Sequence, residues 1–184
     1  MLVLLDRDGV INEDLPKGVC HLDEWRILPG AAEAIAQLTS HHVKVAVVTN
    51  QSAIGKGWLQ EAELEAIHAR LRQQVEAVGG KIDAIYYASD HPDQPTERRK
   101  PGAGMLQEAI RDFGVKPANT PLVGDSLRDL QAAARLGCPR YLVKTGKGQA
   151  TAATSLPADV QPVQQCADLT EAVRQILQDF VGIA

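Results

Sequence analysis

The chain is poor in the features that mark several protein classes. Only 4% of its 184 residues are aromatic, so there is no succession of rings on which bases could stack. Basic residues are outnumbered, 19 to 23, and the net charge of -4 leaves no electrostatic footprint for nucleic acid or an anionic membrane. Three cysteines (Cys20, Cys138 and Cys166) are an odd number without paired metal spacing, which points to free thiols in a reducing compartment. No apolar run approaches the ~18 residues of a membrane span. The first residues enter an apolar run with no basic flank or cleavage site. A cytoplasmic protein without membrane or nucleic-acid partners is expected, most simply a monomer.

What is present is a hydrophobic content of 45%, enough for one domain with a full core over residues 1–184. Leu2 to Leu5 read as a buried strand that breaks into Asp6-Arg7-Asp8-Gly9. Two carboxylates leaving one strand end repel each other unless a cation or a shared proton intervenes, which favours metal-assisted chemistry. An isolated Asp-x-Asp is most often an ordinary turn. The remainder of the chain changes that balance.

Glu13 to Leu28 is irregular and follows the aspartates directly, so it reads as a loop overhanging a site, its return pinned by Trp25 and Ile27. Cys20 and His21 within it are a poor metal set. Ala31 to Ser40 has helical spacing, and Val43 to Val48 is a second strand ending in Thr49-Asn50-Gln51-Ser52, neutral donors suited to an anion. Gly55-Lys56-Gly57 follows, then a long amphipathic helix over 60–78, where His68 is one position off the apolar face and reads as a packing or surface residue. A third strand over 82–88 leads to a polar loop ending in Arg98-Arg99-Lys100. Pro101 stands at the start of a helix expected over Ala103 to Phe113 and so is expected to hold Lys100 at a helix N-terminus, where anions are favoured. A fourth strand, Pro121 to Val123, runs into Gly124-Asp125, with Asp129 one turn into the following helix and suited to capping it. A fifth strand at Tyr141 to Val143 and a last helix over 169–181 complete the pattern.

Alternating strands and helices predict a three-layer α/β/α sandwich on a parallel, Rossmann-like sheet, with its ligand at the carboxyl ends of the strands. No segment is long enough for a large cap domain. Asp6, Asp8 and Asp125 would face Lys100, Thr49 and Asn50 there, a set suited to Mg²⁺ and phosphate.

In order along the chain, Asp6-x-Asp8-Gly-Val, strand-Thr49-Asn50, Lys100-Pro101 and Gly124-Asp125-x-x-x-Asp129 resemble the haloacid dehalogenase (HAD) superfamily of aspartate-nucleophile phosphatases. Asp6 to Asn12, Asp23 to Trp25, Thr49 to Ser52, Gly55 to Gly57 and Arg99 to Pro101 are more narrowly similar to its heptose bisphosphate 7-phosphatase group, whose relatives include histidinol phosphatases. The resemblance implies that Asp6 is the nucleophile and Asp8 the proton carrier. It implies Mg²⁺ held by Asp6, the Asp8 carbonyl and Asp125, and a phosphoryl group bound by Thr49, the Asn50 backbone and Lys100. Ser52 and Arg99 would meet the rest of a small phosphorylated sugar. Histidinol phosphate is the alternative substrate, and a non-catalytic phosphate-binding protein the contrasting reading. Where many of this group carry a structural zinc, the matching positions are Ala88, Asp90, Thr96 and Arg98, with no thiolate, so no zinc is expected.

Overall fold

The protein was analysed as a computed structural model that describes residues 1–182. Six parallel strands form one sheet: β1 (Leu2–Leu5), β2 (Lys44–Asn50), β3 (Ala84–Ala88), β4 (Leu122–Gly124), β5 (Arg140–Val143) and β6 (Gln164–Cys166). Their order across the sheet is β3-β2-β1-β4-β5-β6. The helices are α1 (Ala31–Ser40), α2 (Ser52–Gly55), α3 (Glu61–Glu76), α4 (Gly104–Phe113), α5 (Leu127–Ala134), α6 (Gly148–Ala153) and α7 (Leu169–Val181). None of them is long and apolar enough to cross a membrane.

Successive strand side chains point to opposite faces, and both faces of β1 and β2 are apolar because both are covered. Val3, Leu5, Val45 and Val47 enter one core with Ile35 and Leu38 of α1, Leu64 and Leu71 of α3, and Val173 and Ile176 of α7. Leu2, Leu4, Ala46 and Val48 enter the other with Met105, Leu106 and Ala109 of α4 and Ala132 and Ala133 of α5. The expected three layers are therefore present. Among the caps, the Asp168 carboxylate accepts from the Glu171 amide at 2.9 Å and opens α7.

The sheet differs from the five expected strands by β6, whose three residues, Gln164 to Cys166, carry no apolar alternation and are ordered by pairing with β5. Helix α4 spans Gly104–Phe113 with Ala103 as its N-cap, within one residue of the expected start, but Lys100 and Pro101 lie in the turn before it, so Lys100 is not at the first turn of a helix. The short helices α2 and α6 were not expected either.

Because β1 has β2 on one side and β4 on the other, the chain reverses its direction of travel across the sheet at β1. The crevice outside the carboxyl ends at such a switch point is where open α/β sheets bind ligands.

Candidate active site

The crevice is lined by Asp6 and Asp8 after β1, Asn50, Gln51 and Ser52 at and just past the end of β2, Arg99 and Lys100 after β3, and Asp125 and Asp129 after β4. One wall comes from the long loop after β1, which contributes Asp14, Leu15, Pro16, Lys17 and Gly18. Trp25 is buried and pins the loop's return, its indole N–H donating to Gln74 at 2.7 Å. The reading of this loop as overhanging the site thus agrees with the structure.

Asp6 leaves β1 with its Oδ1 accepting from the Arg7 amide at 2.7 Å and lying 2.9 Å from Lys100 Nζ. Lys100 is buried, and its ammonium also contacts Asp129 Oδ1 at 2.6 Å and donates to the Val48 carbonyl at 2.8 Å. Burial opposes its charge, but Asp129 and Asp6 outweigh burial and keep it protonated well beyond its ordinary range. What positions Lys100 is Asn50, whose side chain accepts from the Lys100 amide at 3.0 Å and donates to its carbonyl at 2.9 Å.

Asp129 combines two tasks. Its Oδ2 accepts from Ser126 N and Oγ at 3.0 and 2.6 Å, a capping box for α5, while Oδ1 faces Lys100. The capping reading was right but incomplete, because a helix cap says nothing of a lysine 29 residues earlier in the chain. Gly9, at φ +82°, passes so close to Asp125 that a Cβ there would collide with the carboxylate.

Asp6, Asp125 and Asp129 each present a carboxylate oxygen within 4.8 Å of the others. Burial and the Asp129 charge raise the Asp6 carboxyl well above its ordinary value, and the same two causes push Asp125 up to about 6. Among the described residues Lys100 is the one ammonium buried against these acids, so negative charge remains uncompensated, and a hard divalent cation with oxygen ligands fits this donor set. When bound, Mg²⁺ supplies charge neutralisation for a phosphoryl group.

Thr49 is not in the crevice. It is fully buried, and its hydroxyl accepts from Gln51 Nε2 at 2.8 Å. Ser52 opens α2 on the crevice wall, and Arg99 is half-buried there. Asp8, Gln51, Asn12 and Arg7 form a buried polar network that sequence reasoning did not assemble. The polar character of Gln51 next to Asn50 was visible, but its partner lies 43 residues away. Lys56, between the two glycines, lines the crevice, as do Arg128 and Lys147, which were not singled out for it.

Acids for a divalent cation, a buried ammonium against two of them and a further acid two residues after Asp6 make the set a Mg²⁺-dependent phosphohydrolase requires. Comparison with known proteins agrees. Residues 97–172 match the family model described as "HAD-hyrolase-like". The D-glycero-beta-D-manno-heptose-1,7-bisphosphate 7-phosphatase of Bordetella bronchiseptica is 43% identical over 97% of this chain and 98% of its own, and that of Pseudomonas aeruginosa is 43% identical over 95% and 98%. A crystal structure of the B. bronchiseptica enzyme, complexed with magnesium and phosphate, superposes with a TM-score of 0.91 at 43% identity, covering 97% and 98% of the two chains. The chain belongs to the HAD superfamily, in the family of the heptose bisphosphate phosphatases, and is a Mg²⁺-dependent phosphoric monoester hydrolase.

Proposed function

We propose that the chain removes the 7-phosphate of D-glycero-D-manno-heptose 1,7-bisphosphate through an aspartyl-phosphate intermediate. The observation that carries the substrate reading is the split of charge in the crevice. Lys100 and Lys147 are paired with acids, whereas Arg99 and Arg128 line the same crevice with no carboxylate within ion-pair distance among the described residues. Arg99 Nη1 is buried without a partner. A monophosphate is served by the ammonium beside Asp6; a second set of cations suits a second anionic group, which a bisphosphate has. Relatives named for that bisphosphate support the same choice.

In the proposed chemistry both contacts to Asp6 fall on Oδ1, leaving Oδ2 to attack phosphorus. The new O–P bond forms as the ester P–O bond breaks, and Asp8 gives a proton to the leaving sugar oxygen. Water then attacks the aspartyl phosphate, Asp8 takes its proton, and inorganic phosphate leaves with the Asp6 carboxylate restored. Lys100, held by Asn50, neutralises the oxygens of the transferring group, and Ser52 and Arg99 face the rest of the sugar.

The test is phosphate release from the heptose bisphosphate, other sugar phosphates and histidinol phosphate with Mg²⁺, with the position of the remaining phosphate read by NMR. The heptose bisphosphate is expected to have the highest kcat/KM and to retain its 1-phosphate. A higher value for histidinol phosphate would replace this substrate.

A further inference from the structure

Arg7 stands between the two crevice aspartates in sequence, yet it does not line the crevice and is fully buried. Its guanidinium lies 5.8 Å from the centre of the Trp25 ring. Nη2 donates to Asp8 Oδ1 and Oδ2 at 2.9 and 3.1 Å and to Gln51 Oε1 at 3.2 Å, while Nε and Nη1 have no partner. Gln51 is itself buried, and its amide nitrogen donates to Asp8 Oδ2 at 2.9 Å and to the Thr49 hydroxyl at 2.8 Å. Asn12 Nδ2 completes the set on Asp8 Oδ1 at 2.9 Å.

As a device for stability this is a poor arrangement. A buried guanidinium with one carboxylate partner and two unsatisfied nitrogens folds no better than an apolar side chain of similar volume. As a device for orientation it is a good one: a short side chain with two rotatable bonds is gripped on both oxygens by three donors, two from the turn after β1 and one just past the end of β2.

We propose that Arg7 and Gln51 are positioning residues which act through Asp8, holding its carboxylate in the rotamer from which it meets the leaving oxygen. Arg7 lies outside the crevice; Gln51 lines it, but its amide nitrogen is engaged by Asp8 and Thr49. The inference rests on the proton-carrying role of Asp8, and the experiment separates the two. Proton donation matters for a poor leaving group such as phenol and hardly at all for dinitrophenol. The readout is therefore the pre-steady-state burst of leaving group from phenyl phosphate and from dinitrophenyl phosphate, which isolates formation of the aspartyl phosphate.

In Gln51→Leu the burst rate for phenyl phosphate is expected to fall about tenfold and that for dinitrophenyl phosphate less than about twofold, since part of a ~10²–10⁴-fold acid contribution is lost. Arg7→Lys, which keeps the buried charge but removes the Nη2 bonds to both Asp8 oxygens, gives a second reading of the same sign should the leucine variant fold poorly. A general distortion of the site slows both substrates alike, and that outcome, or no slowing of either, overturns the proposal. Asp8→Asn is run in parallel. If it discriminates between leaving groups while Gln51→Leu and Arg7→Lys do not, the positioning role fails alone; if it does not discriminate, the acid role of Asp8 fails and the positioning role with it.

Discussion

Lys100 and Asp129 meet across the crevice, with Nζ 2.6 Å from Oδ1 and both side chains almost completely buried. The pair ties the loop after β3 to helix α5 and fixes the ammonium beside Asp6. Removing one member of a buried pair costs about 3–5 kcal/mol. Asp129→Asn is therefore expected to lose about 3 kcal/mol in urea unfolding and at least tenfold in kcat/KM. Wild-type stability in that variant would reduce Asp129 to an ordinary helix cap.

Magnesium should stabilise the fold as well as support turnover, because the three acids repel each other without it. Saturation at about 100-fold over Kd adds about 2.7 kcal/mol, visible as a rise in Tm. Asp125→Asn should shrink that rise and increase the Mg²⁺ needed for half-maximal activity by tenfold or more. A full Tm response in Asp125→Asn would move the ion elsewhere.

Arg99→Ala is expected to lower kcat/KM for a sugar bisphosphate at least tenfold more than for an aryl phosphate, which has no second anchor. The ratio is the diagnostic quantity, since a general loss of catalysis lowers both alike. An unchanged ratio would leave Arg99 without a part in selection.

The loop after β3 is closed without a thiolate. The Asp90 carboxylate accepts from the Thr96 amide and hydroxyl, each at 2.6 Å, and Arg98 donates to the Tyr87 carbonyl at 3.0 Å. Asp90 and Thr96 thus bond to each other where relatives are expected to place zinc ligands. Elemental analysis should find less than stoichiometric zinc. Asp90→Ala should cost about 1 kcal/mol and speed proteolysis of the loop. One tightly bound zinc per chain would show that other side chains reach it.

His68 supplies a pH dependence. Burial, then the charges of Arg7 and Arg72, push its imidazole from 6.5 down to about 3. Between those values the unfolded chain binds a proton that the folded chain does not, so stability is lost as pH falls from about 6.5 toward 3. His68→Phe removes this contribution, and its stability loss between about pH 7 and pH 5 should be smaller than that of wild type by about 1–2 kcal/mol. Parallel pH profiles in urea would assign the acid sensitivity to other groups.

Much of this protein could be read from local pattern. Continuous apolar runs identified β1, β2, β4 and β5 because strands buried on both faces need no alternation, and the acids were visible because Asp6 and Asp8 come at the end of β1 and Asp125 at the end of β4. The short edge strand β6 escaped because pairing with β5, not its own composition, orders it.

What only the tertiary structure decided was which polar groups face one another. Asn50 and Lys100 are 50 residues apart, Arg7 and Gln51 are 44 apart, and no spacing rule links them. In sequence, Thr49 to Ser52 read alike as neutral donors at a strand's end; in space, Thr49 is fully buried with its hydroxyl on Gln51, and it is Gln51 that reaches Asp8. The physical reason is that strand and helix periodicity are properties of neighbouring residues, whereas a buried hydrogen bond is selected by the one partner that packing brings within 3 Å.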